Sequence, residues 1–451
     1  ASCFTEYGGP KLAKEFLMSK SDKQYVESIF LKIAELYQKR NYYNEAVEAY
    51  RTLLEVYPLY KNAPEIYRKI IESYELDGKI EMANQMREEM VKALGPGGPW
   101  LTQYSYGDEF TAGQQASRDA LIYLGNYHFS EAQKRGQVRD YHLAINKYQQ
   151  FLQLFRYDEE AHRVNFYLAE AYYGVGNFSR AAEAYHDVVV KYDNSEYKKD
   201  SAYNRILCYY QLIGNDQPMD SVTIYIDEFL GSPQILTIKL NRNSEIEFLR
   251  ACNDFCLMFA DSKWFDQVLM KYGEVLHKLQ AYLPAVKTYK KVLELGKNRP
   301  YYLLAAMNAG QCYFDGGYFE EADLWFSNIV KNYPDSTQYI DKAQKLAASA
   351  KFKMAEQLSK SGESEKAASL LSVIALDSND PKFKERALYE AANQYQKSGD
   401  LKKAAVALER LVKEHPESEL GDEALYRAAG LREILEDWSL AAANYIKITE
   451  T

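Results

Sequence analysis

The chain has 451 residues, of which 47% are hydrophobic, and its formal net charge is −9. Glycine and proline are few, at 23 and 12 residues, so the composition is that of a folded chain and not of a disordered one. Lysine and arginine are scattered among acidic residues and form no basic stripe, so nucleic acid is not expected as a partner. No stretch reaches the roughly 18 consecutive apolar residues of a membrane-spanning helix, so no transmembrane span is expected.

A pattern of apolar and small residues recurs along the chain, most often every 37 residues. Its first clear copy consists of Phe30, Ile33, Ala34, Tyr37, Ala46, Tyr50 and Pro58. Later copies consist of Ala306, Ala309, Gly310, Tyr313, Ala322, Phe326 and Pro334, and of Leu388, Ala391, Ala392, Tyr395, Ala404, Leu408 and Pro416. The spacing within each copy predicts two short helices, here called the first and the second helix of a repeat.

The alanine of the second helix marks the repeat most clearly. It occurs at Ala46, Ala83, Ala144, Ala181, Ala285, Ala322, Ala367, Ala404 and Ala441, and successive positions differ by 37 five times. An alanine lets the second helix lie close to the first, while the large residue four positions later packs on the same face. We therefore expect Ala144, Ala181, Ala322 and Ala404 to be buried between paired helices.

Glycine-containing turns join the two helices of a repeat. They are Gly176-Asn177-Phe178, Gly316-Gly317-Tyr318, Ser361-Gly362-Glu363 and Ser398-Gly399-Asp400. A glycine there supplies the left-handed conformation that ends the first helix. Between repeats, Tyr-Pro-Asp-Ser at 333–336 and His-Pro-Glu-Ser at 415–418 end one helix, and the Ser or Asp is expected to cap the next.

Three segments interrupt the 37-residue spacing. Residues 95–111 begin Gly-Pro-Gly-Gly-Pro-Trp and are predicted to be a loop-like linker. The segment after Ala181 is predicted to contain a helix over 202–212, a degenerate second helix around 221–230, an extended run over 235–240 and a helix over about 244–260. The longer spacing before Ala367 predicts a long first helix over about 337–359. The predicted domains are N-terminal repeats over 1–94, the linker over 95–111, middle repeats over 112–262 with an irregular segment at 211–262, and C-terminal repeats over 263–451.

The repeated pattern resembles the tetratricopeptide repeat, and the resemblance extends over most of the chain. It implies an all-α fold, a right-handed superhelical solenoid of antiparallel helix pairs with about ten to eleven repeats, two of them degenerate. Solenoids need a polar terminal repeat, and the last repeat instead ends in apolar residues at Trp438, Leu440, Tyr445 and Ile448. The expectation is that the natural chain continues or that another subunit covers this end.

A finer resemblance is to tetratricopeptide proteins of the bacterial cell envelope, which often carry Tyr-Pro-x-Ser followed by an alanine after the second helix. Here the motif is Tyr333-Pro334-Asp335-Ser336 with Ala343, His415-Pro416-Glu417-Ser418 with Ala424, and, without the proline, Asp193-Asn194-Ser195 with Ala202. This resemblance implies a scaffold in the periplasm or near the outer membrane.

The cysteines and histidines form no catalytic or metal-binding motif. The cysteines at 3, 208, 252, 256 and 312 show no CxxC spacing, and the pair four apart, Cys252 and Cys256, is expected to consist of two buried small apolar residues. The six histidines form no HExxH or triad spacing, and neither a P-loop nor GxGxxG is present. No catalytic residue, metal or cofactor is therefore expected.

The first three residues, Ala1-Ser2-Cys3, resemble the end of a bacterial lipobox, and Cys3 is a lipidation candidate that would anchor the chain to a membrane. Processing at a lipobox would, however, remove Ala1 and Ser2. The alternative is an ordinary cysteine near the start of the chain.

The candidate binding surface consists of first-helix residues that the repeat pattern does not use. In the tetratricopeptide arrangement these side chains line the concave face, and aromatic, arginine, methionine and amide groups suit protein recognition. The candidates are Arg163, Phe166, Glu170 and Tyr173; Leu304, Met307, Gln311 and Phe314; and Arg386, Tyr389, Asn393 and Gln396. Some of them are alternatively expected only to pack against a neighbouring first helix.

The sequence thus favours a non-enzymatic scaffold that binds proteins or peptides, in particular subunits of a bacterial envelope complex. One alternative is a regulatory or targeting arm of a larger enzyme or of a secretion or motility machine. Another is a cytoplasmic adaptor. A direct enzymatic activity would require a pocket with convergent polar groups in the irregular segment.

Overall fold

The computed structural model describes residues 1–19, 25–226, 228–231, 236–333, 337–378 and 380–450. The chain divides into two compact units, Ala1–Pro218 and Met219–Thr451. The division falls inside the segment 211–262 that was predicted to be irregular. The other predicted domain boundaries stay predictions.

The first unit is helical throughout its described residues. Its helices are α1 (Ser2–Tyr7), α2 (Gly9–Met18), α3 (Tyr25–Lys39), α4 (Tyr43–Val56), α5 (Ala63–Leu76), α6 (Ile80–Leu94), α7 (Pro99–Gln103), α8 (Gly107–Arg135), α9 (Val138–Leu154), α10 (Ala161–Gly174), α11 (Phe178–Lys191) and α12 (Lys198–Leu212). Four regular repeats are α3–α4, α5–α6, α8–α9 and α10–α11, and α12 has the position of a further first helix. Each helix packs on its neighbour in the chain, as in a solenoid.

The second unit begins with a two-stranded hairpin and continues as helices. Its elements are β1 (Val222–Ile226), β2 (Leu236–Leu240), α13 (Asn243–Met258), α14 (Phe265–Lys278), α15 (Tyr282–Glu294), α16 (Tyr302–Asp315), α17 (Phe319–Asn332), α18 (Thr337–Lys360), α19 (Ser364–Asp377), α20 (Pro381–Ser398), α21 (Leu401–Glu414), α22 (Gly421–Ile434) and α23 (Trp438–Glu450). The strands pair antiparallel, with Ile224 opposite Ile238. From α14 to α23 the unit contains five repeats, of which α18–α19 has an extended first helix. The predicted all-α repeat solenoid is confirmed.

Small residues on both helices of a repeat allow the two helices to pack closely. Ala144, Ala181, Ala322 and Ala404 are fully buried, which confirms the predicted alignment of the repeats. In the α16–α17 repeat, a Cβ atom added at Gly310 would lie 2.6 Å from Cε1 of the Phe326 ring. Gly125 approaches Tyr148, and Gly273 approaches Tyr289, in the same way. These contacts set the distance between the two helices of a repeat.

The turns between paired helices have the predicted left-handed residue. Gly176, Gly317, Gly362 and Gly399 have φ values between 74° and 86°. In three other repeats the same turn position is occupied by Asn41, Gln280 and Glu436, which have φ values of 63°, 59° and 59°. The turn conformation is therefore kept even where no glycine marks it in the sequence.

The prediction that residues 95–111 form a loop is wrong, because the segment contains the short helix α7 and the first residues of α8. Trp100 is 1% exposed, and its indole Nε1 donates a hydrogen bond of 2.7 Å to the carbonyl oxygen of Tyr60. The Tyr104 hydroxyl donates to the carbonyl oxygen of Leu59 at 3.0 Å. A buried tryptophan with a satisfied N–H fixes this segment on the α4–α5 turn, where glycine and proline alone suggested a loop.

The predictions for the irregular segment 211–262 are partly wrong and partly confirmed, and the prediction for 337–359 is confirmed. The degenerate second helix predicted around 221–230 is wrong, because residues 222–226 form β1; four of these five residues are β-branched, which favours a strand. The extended run over 236–240 is confirmed as β2, while Ile235 lies outside the described residues. The helix predicted over 244–260 corresponds to α13, and the long first helix predicted over 337–359 corresponds to α18.

The turns between repeats are tied to the preceding first helix. Ser418 Oγ accepts a hydrogen bond from the Leu420 backbone N–H at 3.1 Å and donates to Glu385 of α20 at 2.6 Å. Ser418 therefore stabilises the turn before α22 instead of capping that helix, as the sequence had suggested. In the first unit, Asp158 accepts from Arg118 of α8 at 2.6 Å. Pro334, Asp335 and Ser336 lie outside the described residues.

Candidate protein-binding surface

The first helices α20 and α22 are joined by hydrogen bonds between side chains. Arg427 Nη2 donates to Asn393 Oδ1 at 2.7 Å and to Gln396 Oε1 at 2.6 Å. The Tyr389 hydroxyl donates to Glu423 at 2.6 Å, and the Arg427 guanidinium lies 5.0 Å from the Tyr389 ring centroid. The hydrogen bond to Glu423, together with burial, raises the pKa of Tyr389. The geometry thus brings together three of the four candidates on α20.

The fourth candidate on α20, Arg386, is exposed and lies with its guanidinium 4.6 Å from the ring centroid of Phe352 on α18. A guanidinium on an aromatic ring stays charged and keeps its N–H donors available. Arg386 therefore combines a fixed position with an accessible cationic group.

The candidates on α10 are mostly engaged within the first unit. Glu170 accepts hydrogen bonds from the Tyr185 hydroxyl and, at 3.0 Å, from Asn204 Nδ2 of α12. Burial, and after it the charge of Glu170, raises the pKa of Tyr185 far above its ordinary value. Phe166 is half-buried and stacks on Tyr197 at 4.5 Å between ring centroids. These contacts favour the alternative in which the residues pack against a neighbouring helix.

The other two α10 candidates are more accessible. Arg163 forms an ion pair of 2.6 Å with Glu160, and its side chain is 37% exposed. Tyr173 is also 37% exposed and lies edge-on to Phe178, with 5.1 Å between the ring centroids.

The candidates on α16 differ in exposure. Leu304 is 39% exposed, whereas Met307 is only 4% exposed and belongs to the core, contrary to the expectation that it contacts a partner. Gln311 donates to Asp315 at 2.8 Å. Phe314 is half-buried and lies edge-on to Phe319, with 5.4 Å between the ring centroids. Only Leu304 of this set offers a large exposed apolar surface.

Sequence reasoning missed the residues that α22 contributes. Glu423 and Tyr426 lie 37 residues after Arg386 and Tyr389, so one further step of the repeat spacing would have found them. Tyr426 is 65% exposed and meets only Tyr445 edge-on among the ring contacts of the described residues. We call the exposed first-helix side chains of the second unit, Leu304, Arg386, Gln396, Glu423 and Tyr426, the first-helix face.

The cysteines divide into one exposed and four buried thiols. Cys3 lies exposed in α1, and its lipidation stays a prediction. Burial raises the pKa of Cys208, Cys256 and Cys312 to about 12, as expected for apolar surroundings. Across the described ranges, no three His, Cys, Asp or Glu residues are grouped so as to hold a metal ion. Among the described helices none is both long and apolar enough to span a membrane.

Three models of the tetratricopeptide repeat family match the chain, over residues 28–58, 129–196 and 386–418. The chain thus contains tetratricopeptide repeats in these three segments. The matches coincide with α3–α4, with α9–α11 and the end of α8, and with α20–α21. Repeats of this family are generally protein–protein interaction modules, and their fold is typically non-catalytic.

Several solved structures are similar to parts of the chain at low sequence identity. MamA protein is 15% identical with a TM-score of 0.31, over 49% of this chain and 94% of MamA. A tetratricopeptide repeat protein from Parabacteroides merdae is 13% identical with a TM-score of 0.31, over 69% of this chain and 98% of that chain. A chain of Naa15/Naa10 bound to HypK-THB is 14% identical with a TM-score of 0.35, over 99% of this chain and 61% of that chain. Likeness at this level carries no argument about function. No curated protein matches the chain.

Proposed function

We propose that this protein is a scaffold that binds other proteins or peptides through the first-helix face, as part of a bacterial envelope assembly. The observation that carries the binding proposal is the seam between α20 and α22. There Arg427, Asn393 and Gln396 fix the polar side chains, while Tyr426 remains 65% exposed.

The seam makes the surface suitable for binding because its side chains are already ordered. Immobilising a side chain with many rotamers at an interface costs about 0.5–1.5 kcal/mol. Arg427, with two amide acceptors and a tyrosine ring beside it, has little of that freedom left to lose. Exposed tyrosine and arginine side chains are the residue types that contribute most to binding energy, and the face presents both in Tyr426 and Arg386.

The envelope location has separate support, namely the resemblance of the inter-repeat motifs and of Ala1-Ser2-Cys3 to envelope proteins. Ser418 stabilises the turn before α22, so the serine of one motif copy also has a structural reason to be there. The location is therefore the part of the proposal that most needs a direct test.

Photo-cross-linking in native cells tests both parts of the proposal. A photoreactive amino acid is placed at Leu304 or Tyr426 on the first-helix face, and at Leu324 or Val406 on second helices as controls. The controls are matched for exposure, because Leu324 is 60% and Val406 is 48% exposed. Discrete cross-linked species from the first-helix positions and none from the controls are the expected result.

Mass spectrometry of the cross-linked partners then addresses the location. Partners from the periplasm or outer membrane are expected. Cytoplasmic partners alone would overturn the envelope assignment and leave the binding proposal standing. Equal cross-linking from all four positions would overturn the choice of face.

A further inference from the structure

The second unit contains a slot beside α18 that lies apart from the first-helix face. It encloses about 680 Å³ and is lined by α17, α18, the end of α19 and the start of α20, including Lys331, Lys345, Ala347, Ile374, Asp377 and Phe383. Clefts that bind ligands in proteins usually enclose roughly 300–1,000 Å³, so this volume is large enough to admit several side chains. We call this cleft the α18 slot.

The α18 slot exists because two paired helices differ in length. α18 has 24 residues, whereas its partner α19 has 14, which leaves ten residues of α18 beyond the end of α19. At 1.5 Å per residue, the uncovered part of α18 is about 15 Å long. In a regular repeat the second helix would cover this surface, so the slot has the position of missing helical turns.

The floor of the slot is apolar, and small side chains on it leave the cavity open. Ala347 and Ile374 are buried, and Phe383 is half-buried. Ala348, half-exposed on α18, also lines the slot and leaves space that a larger side chain would fill. An apolar strip of this kind suits the apolar face of an amphipathic helix.

The two long walls of the slot differ in charge. Lysines outnumber acidic residues on the α17–α18 wall, where Lys331, Lys345 and Lys351 line the slot together with Asp341, whereas the α19–α20 wall is acidic. On the α17–α18 wall, Lys331 and Lys345 are exposed; Lys345 also lies 3.0 Å from Asp341 in an ion pair whose side chains are 64% and 71% exposed. Such exposed pairs contribute little and exchange readily for another partner. On the α19–α20 wall, Asp377 and Asp380 are exposed and acidic, although Asp380 also caps α20.

We propose that the α18 slot binds a short amphipathic helix of a partner protein, in the position that a longer α19 would occupy. The apolar face of that helix lies on Ala347, Ile374 and Phe383. Its acidic edge faces Lys331 and Lys345, and its basic edge faces Asp377. The proposal does not depend on the first-helix face, because none of the residues of that face lines the slot.

Fluorescence anisotropy with synthetic peptides tests the proposal on the full chain. The probe is a labelled helical peptide of about ten residues, the length of α18 that α19 leaves uncovered, with a leucine stripe flanked by Glu on one edge and Lys on the other. Two comparison peptides carry Glu on both edges or Lys on both edges. The wild-type chain should bind the mixed peptide most tightly at low salt, and added salt should reduce the preference.

Three variants locate the binding in the slot. Ala348→Trp fills the space and should weaken binding of the mixed peptide by a factor of about ten or more. The double change Lys331→Glu and Lys345→Glu makes both walls acidic and should transfer the preference to the peptide with Lys on both edges. Lys342→Glu, an exposed change on the same helix that does not line the slot, should leave binding unaltered.

Equal binding of the three peptides by the wild-type chain would overturn the proposal, and so would an Ala348→Trp variant that binds as the wild type does. Circular dichroism melting shows whether that variant is folded, and the charge variants give an independent answer if it is not. A dimer in sedimentation equilibrium that Ala348→Trp abolishes would also overturn it, since a second copy would then be the occupant.

Discussion

The contact between Gly310 and Phe326 makes a quantitative prediction about how closely paired helices pack. An alanine Cβ at position 310 would lie 2.6 Å from Cε1, 2.8 Å from Cζ and 3.1 Å from Cδ1 of the Phe326 ring. Phe326 is fully buried, so its ring has no free volume to move into without displacing its neighbours. Gly310→Ala should therefore force α16 and α17 apart or shift the ring.

The magnitude follows from two opposing effects. Overpacking a core by one methyl group typically costs about 1–3 kcal/mol. Replacing glycine by alanine in a helix gains about 0.4–1 kcal/mol, chiefly by reducing the freedom of the unfolded chain. The net expectation for Gly310→Ala is a loss of about 0.5–2 kcal/mol in the free energy of unfolding. Gly430→Ala in α22 is the matched control, because a Cβ there would meet no atom within 4 Å; it should stabilise.

Hydrogen exchange and a double-mutant cycle provide the assay. Unfolding of a repeat array is not always two-state, so amide protection in α16 and α17 is measured together with the urea midpoint. Phe326→Leu should be less harmful in the Gly310→Ala background than in the wild type, because the smaller side chain relieves the clash. A precedent lies in the same chain, where Ala392 and Leu408 occupy the equivalent positions. The reasoning is refuted if Gly310→Ala is as stable as the wild type, or if Gly430→Ala is equally destabilising.

Three further changes test other contacts. Trp100→Phe should lower the free energy of unfolding by about 0.5–1.5 kcal/mol, because the Tyr60 carbonyl loses the indole N–H and keeps only the Ala63 backbone N–H; an unchanged urea midpoint would contradict this. Burial raises the pKa of Asp158, but its hydrogen bonds with Arg118 outweigh burial and leave the pKa below its ordinary value. The stability that this ion pair contributes is present above about pH 4 and is lost as the pH falls through the lowered pKa. Asp158→Asn should therefore flatten the dependence of the urea midpoint on pH below 4. Parallel pH profiles of the variant and the wild type would refute this prediction. Ser418→Ala should cost about 1 kcal/mol and speed exchange of the next turn's amides, and unchanged exchange would argue against its role.

The repeat fold could be predicted because its core depends on residue size at fixed spacing. Alanine at 144, 181, 322 and 404 has one physical role, close helix approach, and all four are fully buried. Turn glycines were equally informative because few other residues adopt positive φ readily. Where the turn residue is Asn41, Gln280 or Glu436, that signal is missing, and only the packing of the flanking helices imposes the conformation.

The errors arose where long-range contacts decide the local structure. The composition of 95–111 suggested a loop, but burial of Trp100 against the α4–α5 turn orders it, and no local pattern reports that contact. Met307 shares a repeat position with Phe166 and Tyr389, which are half-buried, but local packing buries Met307 almost completely. The α18 slot was not predictable either: the sequence indicated a long first helix at 337–359 but not the gap left beside it.

Hydrogen bonds between polar side chains of neighbouring first helices explain why several of the candidate binding residues are not fully exposed. Among the described residues, hydrogen bonds join residues 34 positions apart in four places: Gln38 with Glu72, Asn204 with Glu170, Tyr389 with Glu423, and Arg427 with Asn393. Because the repeat is 37 residues long, the residue 34 positions later lies about one helical turn before the equivalent position on the next first helix. The two side chains therefore meet where the neighbouring first helices contact each other.

A polar residue at such a position therefore serves first to join neighbouring repeats. A partner must use the side chains that the seam leaves exposed, and Tyr426 and Arg386 are of this kind. Substituting Tyr426 should consequently weaken binding without loosening the repeats, whereas substituting Arg427 should do both. Measuring partner cross-linking and amide protection on the same two variants separates the two roles.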